Sequence, residues 1–161
     1  PMIHSLIRLD PEPAAYRYMW SVLMLPHIQA TVHKNWKGPE GYHALCRLLD
    51  EGHWFAVPVI GGEAAGLVWG EVCSHNELEG HLAFLRGIAP RALQEVMEDI
   101  CEFCATDFNL IRVGKEGLSR AARMFIKRAG FKGQGAFYTR ELGNDKLGQG
   151  TKKIERSCSS A

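Results

Sequence analysis

The sequence predicts a mixed α/β domain: a central mixed β-sheet of about six strands with helices on both faces. Three observations lead there. Three β-rich runs in the middle of the chain are joined by tight-turn residues, the signature of an antiparallel meander. A strand–helix–strand succession follows them, and it demands a parallel crossover. The chain has 161 residues, 46% of them hydrophobic, which fits one domain able to bury a core without disulfides or metal.

The elements follow in order. Residues 2–9 suit a strand, closed by a Pro-rich turn at Asp10–Pro13. Residues 14–25 have helical composition and are expected to stop at Pro26, and 27–36 fit neither pattern. Residues 39–50 restart a helix: Pro39 suits its first turn, Leu45, Leu48 and Leu49 share a face, and Gly52 closes it. Residues 53–60 form a strand in which Pro58 marks an edge or a bulge, since it has no ladder N–H. Gly61-Gly62 is a hairpin turn, 64–73 the returning strand, Ser74–Asn76 the next turn, and 78–88 a further strand.

Residues 90–106 are the clearest helix. Leu93, Val96, Met97, Ile100, Phe103 and Cys104 fall on one stripe, and Pro90 opens it. Residues 109–113 form a short strand. Ser119 looks like an N-cap for a helix whose Ala122, Phe125, Ile126 and Ala129 share a face and which ends at Gly130. Residues 135–142 form the last strand. The order is β-α-α-β-β-β-α-β-α-β, and the domain is expected to span 1–142. Residues 143–161 are rich in Gly, Lys and Ser and poor in apolar groups, so they read as a polar tail or as an arm that docks to a protein partner.

Composition narrows the function. A formal charge of +1 gives no general argument for nucleic acid or anionic membrane. No apolar run approaches the ~20 residues of a spanning helix, and no signal-peptide pattern appears, so a cytoplasmic setting is expected. Cys101 and Cys104 have a CxxC spacing, but no second ligand pair accompanies it. Two half-buried cysteines on one helix face explain the spacing, and no metal site is expected. His27, His33 and His43 make no metal spacing either. Arg120, Arg123, Lys127 and Arg128 give one helix a basic face. Without interleaved aromatics this fits a solvated surface better than a nucleic-acid contact. Tyr16, Tyr18, Met19, Trp20 and Trp36 make the first helical region aromatic-rich, as core or as the wall of a binding site.

The segment from Leu78 to Leu142 runs strand, loop, long helix, short strand, helix, then Ala129-Gly130-Phe131. With the run SRAARMFIKRAGF at 119–131, it resembles the GNAT superfamily of N-acetyltransferases. Among these it looks most like the small GNAT-like proteins of tailed bacteriophages. There a His-x-x-Phe on the fourth strand (His81 and Phe84) and an Ala-Arg…Ala-Gly-Phe helix (Ala122-Arg123…Ala129-Gly130-Phe131) recur.

The resemblance implies an acetyl-CoA-dependent acyltransferase acting on a small-molecule or protein amine, or a catalytically degenerate GNAT-fold protein of a phage virion. It implies that the pantetheine arm of acetyl-CoA lies between two splayed strands, near 82–88 and 109–113. Its pyrophosphate would rest on the N-terminus of the helix opening at Pro90, where free N–H groups bind anions. The phosphate loop then corresponds to Leu85, Arg86, Gly87, Ile88, Ala89 and Arg91. Ala89 and Arg91 replace two of the family's small residues, and Pro90 removes a donor. Ser119 and Arg123 are the cofactor-side candidates on the later helix. The position of the family's tyrosine acid holds Ile126, which cannot donate a proton. Tyr138 is a candidate substitute or a packed strand aromatic. A base is needed to deprotonate an ammonium acceptor. Glu71, Glu79 and His81 are the candidates, although half-exposed strands carry such residues routinely. The sequence leaves oligomeric state open.

Overall fold

The computed structural model describes residues 4–143. Its strands are β1 His4–Arg8, β2 Trp54–Ile60, β3 Glu63–Ala64, β4 Gly66–Cys73, β5 Glu77–Phe84, β6 Leu110–Gly114, β7 Lys132–Gln134 and β8 Phe137–Glu141. Its helices are α1 Pro13–Leu23, α2 Pro26–Thr31, α3 Gly38–Asp50, α4 Pro90–Cys104 and α5 Arg120–Arg128, with single 3-10 turns at Lys34–Trp36 and Ser74–Asn76. The strands make one 8-stranded mixed sheet in the order β1-β2-β4-β5-β6-β8-β7, with β3 paired to β2. All neighbours are antiparallel except β5 and β6. The fold class is as the sequence predicts. The two strands beyond the expected six are β3 and β7, short arms on which Gly61-Gly62 and Gly135 turn the chain with positive φ.

Alternation along the strands sorts the core into two layers. Phe55, Leu67, Trp69 and Ala83 pack against α1 and α3 through Met19, Leu23, Leu45 and Leu49. Trp54, Ala56, Val68, Val72, Leu78 and Ile111 face α4 and α5 through Val96, Met97, Ile100, Cys104, Ile126 and Ala129. Cys101 and Cys104 are buried in this layer as free thiols. Burial pushes Cys101 up to about 11 and Cys104 higher still, the behaviour of small hydrophobes rather than of metal-ready thiolates.

Several boundaries differ from expectation for identifiable reasons. Pro26 does not only end a helix: α1 stops at Leu23, and Pro26 starts α2 at a first-turn position where its missing N–H costs nothing. The ambiguous stretch 27–36 therefore holds a helix and a 3-10 turn. Pro58 is a bulge marker. The β2–β4 ladder ends at Ala56↔Val68, and Ala65 N–H donates to Pro58 C=O at 2.8 Å across the break. The break delays β4 to Gly66, whose φ of 145° only glycine adopts readily. The strand expected over 78–88 ends at Phe84, ahead of the turn at Arg86-Gly87. Ser119 caps α5 as expected, its hydroxyl accepting from Ala122 N–H at 3.1 Å. Of the expected tail, all but Gly143 lies outside the described residues.

Candidate active site at the fork of the sheet

The parallel pair β5–β6 is joined at only three registers, Glu77↔Leu110, Leu78↔Ile111 and Glu79↔Arg112. Beyond them β6 continues through Val113 and Gly114 against β8 alone, and β5 continues to Phe84 against β4 alone. The sheet therefore forks. Leu85 N–H points to β4, donating to Ala65 C=O at 2.9 Å, and Asn76 C=O points to the β6 side, accepting from Asn109 N–H at 2.9 Å. Alternation then turns the N–H and C=O groups of Leu82 and Phe84 toward the vacated side. His27 of α2 reaches the Phe84 carbonyl with Nε2 at 3.2 Å. A cavity of about 350 Å³ lies along this edge, between Ile28 and Thr31 of α2 and Leu82, Ala83, Phe84 and Arg86. Its size is within the range of small-molecule sites. Below the fork, on the α5 side, Phe84 and Phe125 meet edge to face at 6.5 Å.

At the crotch of the fork the register stacks polar groups on the α1–α3 face. Trp69 stands opposite His81, Glu71 opposite Glu79, and Cys73 opposite Glu77. Two carboxylates directly across a ladder repel each other. Two groups relieve this. Arg112 of β6 sets Nε 3.3 Å from Glu79 Oε1, Nη1 3.5 Å from Glu77 Oε1 and Nη2 3.5 Å from Cys73 Sγ. His81 Nε2 stands 3.5 Å from Glu71 Oε1, an electrostatic contact, since among the described residues Nε2 is buried without a partner of hydrogen-bond geometry. The neighbouring His81 ring is the main influence holding the Glu71 carboxyl below its usual range. Burial opposes it, and the charges of His53 and Arg112 add to it. Burial pushes the Cys73 thiol up, against the pull of Arg112. Glu71, Glu79 and His81 carry donor atoms within 4.8 Å of one another.

Of the residues expected to make the first helical region aromatic-rich, Trp36 lines the wall of this site, whereas Met19 is core and Trp20 is exposed against Tyr42. Trp36 lies in the 3-10 turn after α2, and this turn sits so close to α3 that a Cβ on Gly41 would come 2.1 Å from the Trp36 carbonyl carbon. The Trp36 ring meets His81 at 5.5 Å and Trp69 at 6.2 Å, both edge-on. Trp69 lies nearly flat against His81, with centroids 5.4 Å apart and planes at 24°. Nε1 of both tryptophans is buried without a hydrogen-bond partner among the described residues. From the same turn, His33 and Lys34 stand 3.8 and 3.9 Å from Glu116, in the loop after β6, and so span the fork.

The structure thus brings Glu71, Glu79 and His81 together and leaves Tyr138 apart. Tyr138 is buried in the α4–α5 layer on the opposite face, with Lys115 Nζ 5.2 Å from its ring centre. Leu85 to Ala89 run from the end of β5 to α4, with Gly87 at φ 87° and Ala89 as N-cap, so the first turn of α4 opens beside the fork. Arg86 lines the cavity, while Arg91 is exposed beside Glu95 at 4.0 Å. Arg123 folds back onto its own loop, with Nε 3.4 Å from Leu118 C=O and Nη2 3.3 Å from Lys115 C=O. Ile126 is buried. Sequence reasoning missed Arg112 and His27. Arg112 was detectable as the lone charge inside the apolar run NLIRV, where a half-buried cation needs partners. His27 carried no such signal.

No protein-family model matches the chain, and no curated protein sequence matches it. Solved structures do. An aminoglycoside N(6')-acetyltransferase from Legionella pneumophila superposes with a TM-score of 0.65 at 12% identity, covering 86% of this chain and 91% of that one. The fold is that of the GNAT acetyltransferases. A GNAT-superfamily phosphinothricin acetyltransferase from Sinorhizobium meliloti, in complex with AcCoA, gives 0.62 at 15% identity, covering 88% and 89%. The ribosomal-protein-S18-alanine N-acetyltransferase of Escherichia coli gives 0.64 at 11% identity, covering 87% and 94%. This GNAT fold therefore spans most of each neighbour's length as well as its own.

Proposed function

We propose that the protein is an acetyl-CoA-dependent N-acyltransferase in which an amine attacks the thioester directly. The observation that carries this reading is the fork. β5 leaves β6 after three registers, so an extended ligand can take strand-like hydrogen bonds from Leu82 and Phe84. Acetyl-CoA has such a portion in its pantetheine amides. The S. meliloti neighbour, whose structure holds AcCoA, supports the choice of ligand. The pyrophosphate is assigned to the loop Leu85–Ala89 and the first turn of α4, with Arg86 as the nearest cation and Arg91 within the same turn. Ser119 and Arg123 flank the far side of the fork, where Arg123 has to release its loop carbonyls to meet a phosphate.

The acceptor approaches from the α1–α3 face, where Glu71, Glu79 and His81 form a net acidic group suited to an ammonium. One proton leaves the ammonium for this cluster. The amine then attacks the thioester carbonyl carbon, a C–N bond forms, and collapse of the tetrahedral adduct breaks the C–S bond. The thiolate takes the second nitrogen proton through water, because Ile126 has none to give. Tyr138, across the sheet, is left to the core. The neighbours named for aminoglycoside and ribosomal-protein substrates bracket the acceptor between a small molecule and a protein amine.

Saturating acetyl-CoA should raise the melting temperature. Occupancy at a hundredfold excess over Kd is worth about 2.7 kcal/mol. Release of CoA thiol in the presence of an amine panel then reads turnover. A shift without turnover favours a second reading, supported by buried Ile126 and by Pro90 in the phosphate loop: a GNAT-fold protein that keeps the slot and has lost the chemistry, such as a virion component of a tailed phage. Absence of any shift removes the acyltransferase reading.

A further inference from the structure

We infer that Glu71 and His81 work as one proton-holding pair, in which Glu71 meets the acceptor ammonium and His81 Nε2, behind it, keeps the proton. This rests on the acyltransferase reading and adds a division of labour within its acidic cluster. The Glu71 side chain is 35% exposed, and that of His81 is 18% exposed with Nε2 sealed from solvent. Of the pair, the carboxylate is the more open to a ligand, and it stands 3.5 Å from Nε2. A buried imidazole nitrogen without a hydrogen bond costs stability, so its retention beside an open carboxylate calls for a role. The charge that a second proton brings to the ring would be met by the Glu71 carboxylate on one side and the flat face of Trp69, 5.4 Å away, on the other. Trp36, edge-on at 5.5 Å, fixes the ring from the α3 side.

The remaining charged groups around the pair are already engaged. From β5, Glu79 and Glu77 are held by Arg112 of β6, which also reaches Cys73 of β4 and lies over the Phe137 ring of β8 at 4.7 Å. His53, before β2, accepts from Val72 N–H with Nδ1 at 2.9 Å and stands 3.9 Å from Glu51 with Nε2. His33 and Lys34, beside Trp36, face Glu116. Glu71 is held below the usual carboxylate range chiefly by the His81 ring, so its carboxylate stays ionised beside that ring. A carboxylate is a weaker base than an imidazole. The proton taken from the ammonium by Glu71 therefore passes to His81, and Glu71 returns to its ionised form ready for the next. Once the amide has formed, His81 releases that proton to water through Glu71. Glu71 is then the catalytic residue, His81 acts through it, and Glu79, held in place by Arg112, adds to the negative charge that draws the ammonium.

Two readouts test the pair, one without turnover. In the free protein, E71Q should move the NMR titration of the His81 ring to lower pH, because the ring loses the carboxylate 3.5 Å away, and E79Q, whose carboxylate is shared with Arg112, should move it less. In acetyl transfer, H81Q should lose the acid limb of the kcat/KM profile and about 10²-fold in rate, with KM for acetyl-CoA unchanged. E79Q should raise the acceptor KM and keep the limb. An unmoved His81 titration in E71Q, or a full acid limb in H81Q, overturns the pair. If the wild type turns over no amine, the transferase reading fails, and the ring titration still decides whether the two groups are coupled.

Discussion

Gly66→Ala tests whether the fork depends on how β4 is launched. Gly66 opens β4 beside the Pro58 bulge, opposite Phe84, with its carbonyl accepting from Tyr18 Oη at 2.6 Å. A Cβ there would lie 2.1 Å from the Ala83 carbonyl oxygen and 2.9 Å from Phe84 Cα, both backbone atoms with little freedom to yield. Relief requires β4 and β5 to part by roughly 1 Å, enough to forfeit much of the local packing energy. The positive φ adds strain of about 1–3 kcal/mol, and the overlap about as much again. The expected loss is ~3–5 kcal/mol, a fall in Tm of about 10 °C for a chain this size. Gly62→Ala is the control. Its φ is +83° and nothing lies within 4 Å of its Cβ, so only the torsional part remains. Urea unfolding of both variants, followed by tryptophan fluorescence, gives the difference. Equal losses would refute the claim that close backbone approach at Gly66 sets the geometry of β5.

Trp69→Phe removes a buried donor without a partner among the described residues and leaves a cavity where the indole was, so a loss of about 1–3 kcal/mol is expected from packing. Trp69→Leu, which leaves a larger cavity, should cost more in urea unfolding, and equal losses would contradict the packing account. Arg112→Gln leaves Glu71 and Glu79 facing each other and should destabilise by about 1–3 kcal/mol. Adding Glu79→Gln should restore part of that, a coupling of at least ~0.5 kcal/mol in the double-mutant cycle; strict additivity would show that Arg112 does not hold Glu79. Glu98, paired with Arg140 at 2.8 Å, is held below the usual carboxylate range by that guanidinium. Its contribution is complete above the unfolded value of about 4.3 and is lost as pH falls through the lower folded value. Arg140→Gln should therefore flatten the acid side of the stability–pH curve slightly, the pair being more than half open to water on the Glu98 side. An unchanged slope would contradict the pairing.

Much of the scaffold was legible because local signals and burial agree. The stripe of α4 (apart from Phe103, which is exposed), the Ser119 cap and the Gly61-Gly62 hairpin each combine a turn or cap residue with the matching period. Pro26 misled because the same residue that ends one helix is a favourable first residue for the next. The site was legible in its members and not in its pairing. Glu71, Glu79 and His81 stand out as polar residues in apolar strands. That Glu71 faces Glu79 follows from the register fixed by the turn at Ser74–Asn76, where Asn76 takes φ 61°. No pattern within one strand carries that register. Arg112, more than thirty residues further on, joins them only through a parallel pairing that stops after three registers. Tyr138 was a candidate by type alone, and strand alternation turns it to the other face.

Amide hydrogen exchange at Leu82 and Phe84, with and without acetyl-CoA, tests the fork as a binding slot most directly. The account predicts fast exchange at both N–H groups in the free protein and strong slowing when acetyl-CoA lies along β5. Full protection of these amides without ligand, or exchange that acetyl-CoA leaves unchanged, would contradict it.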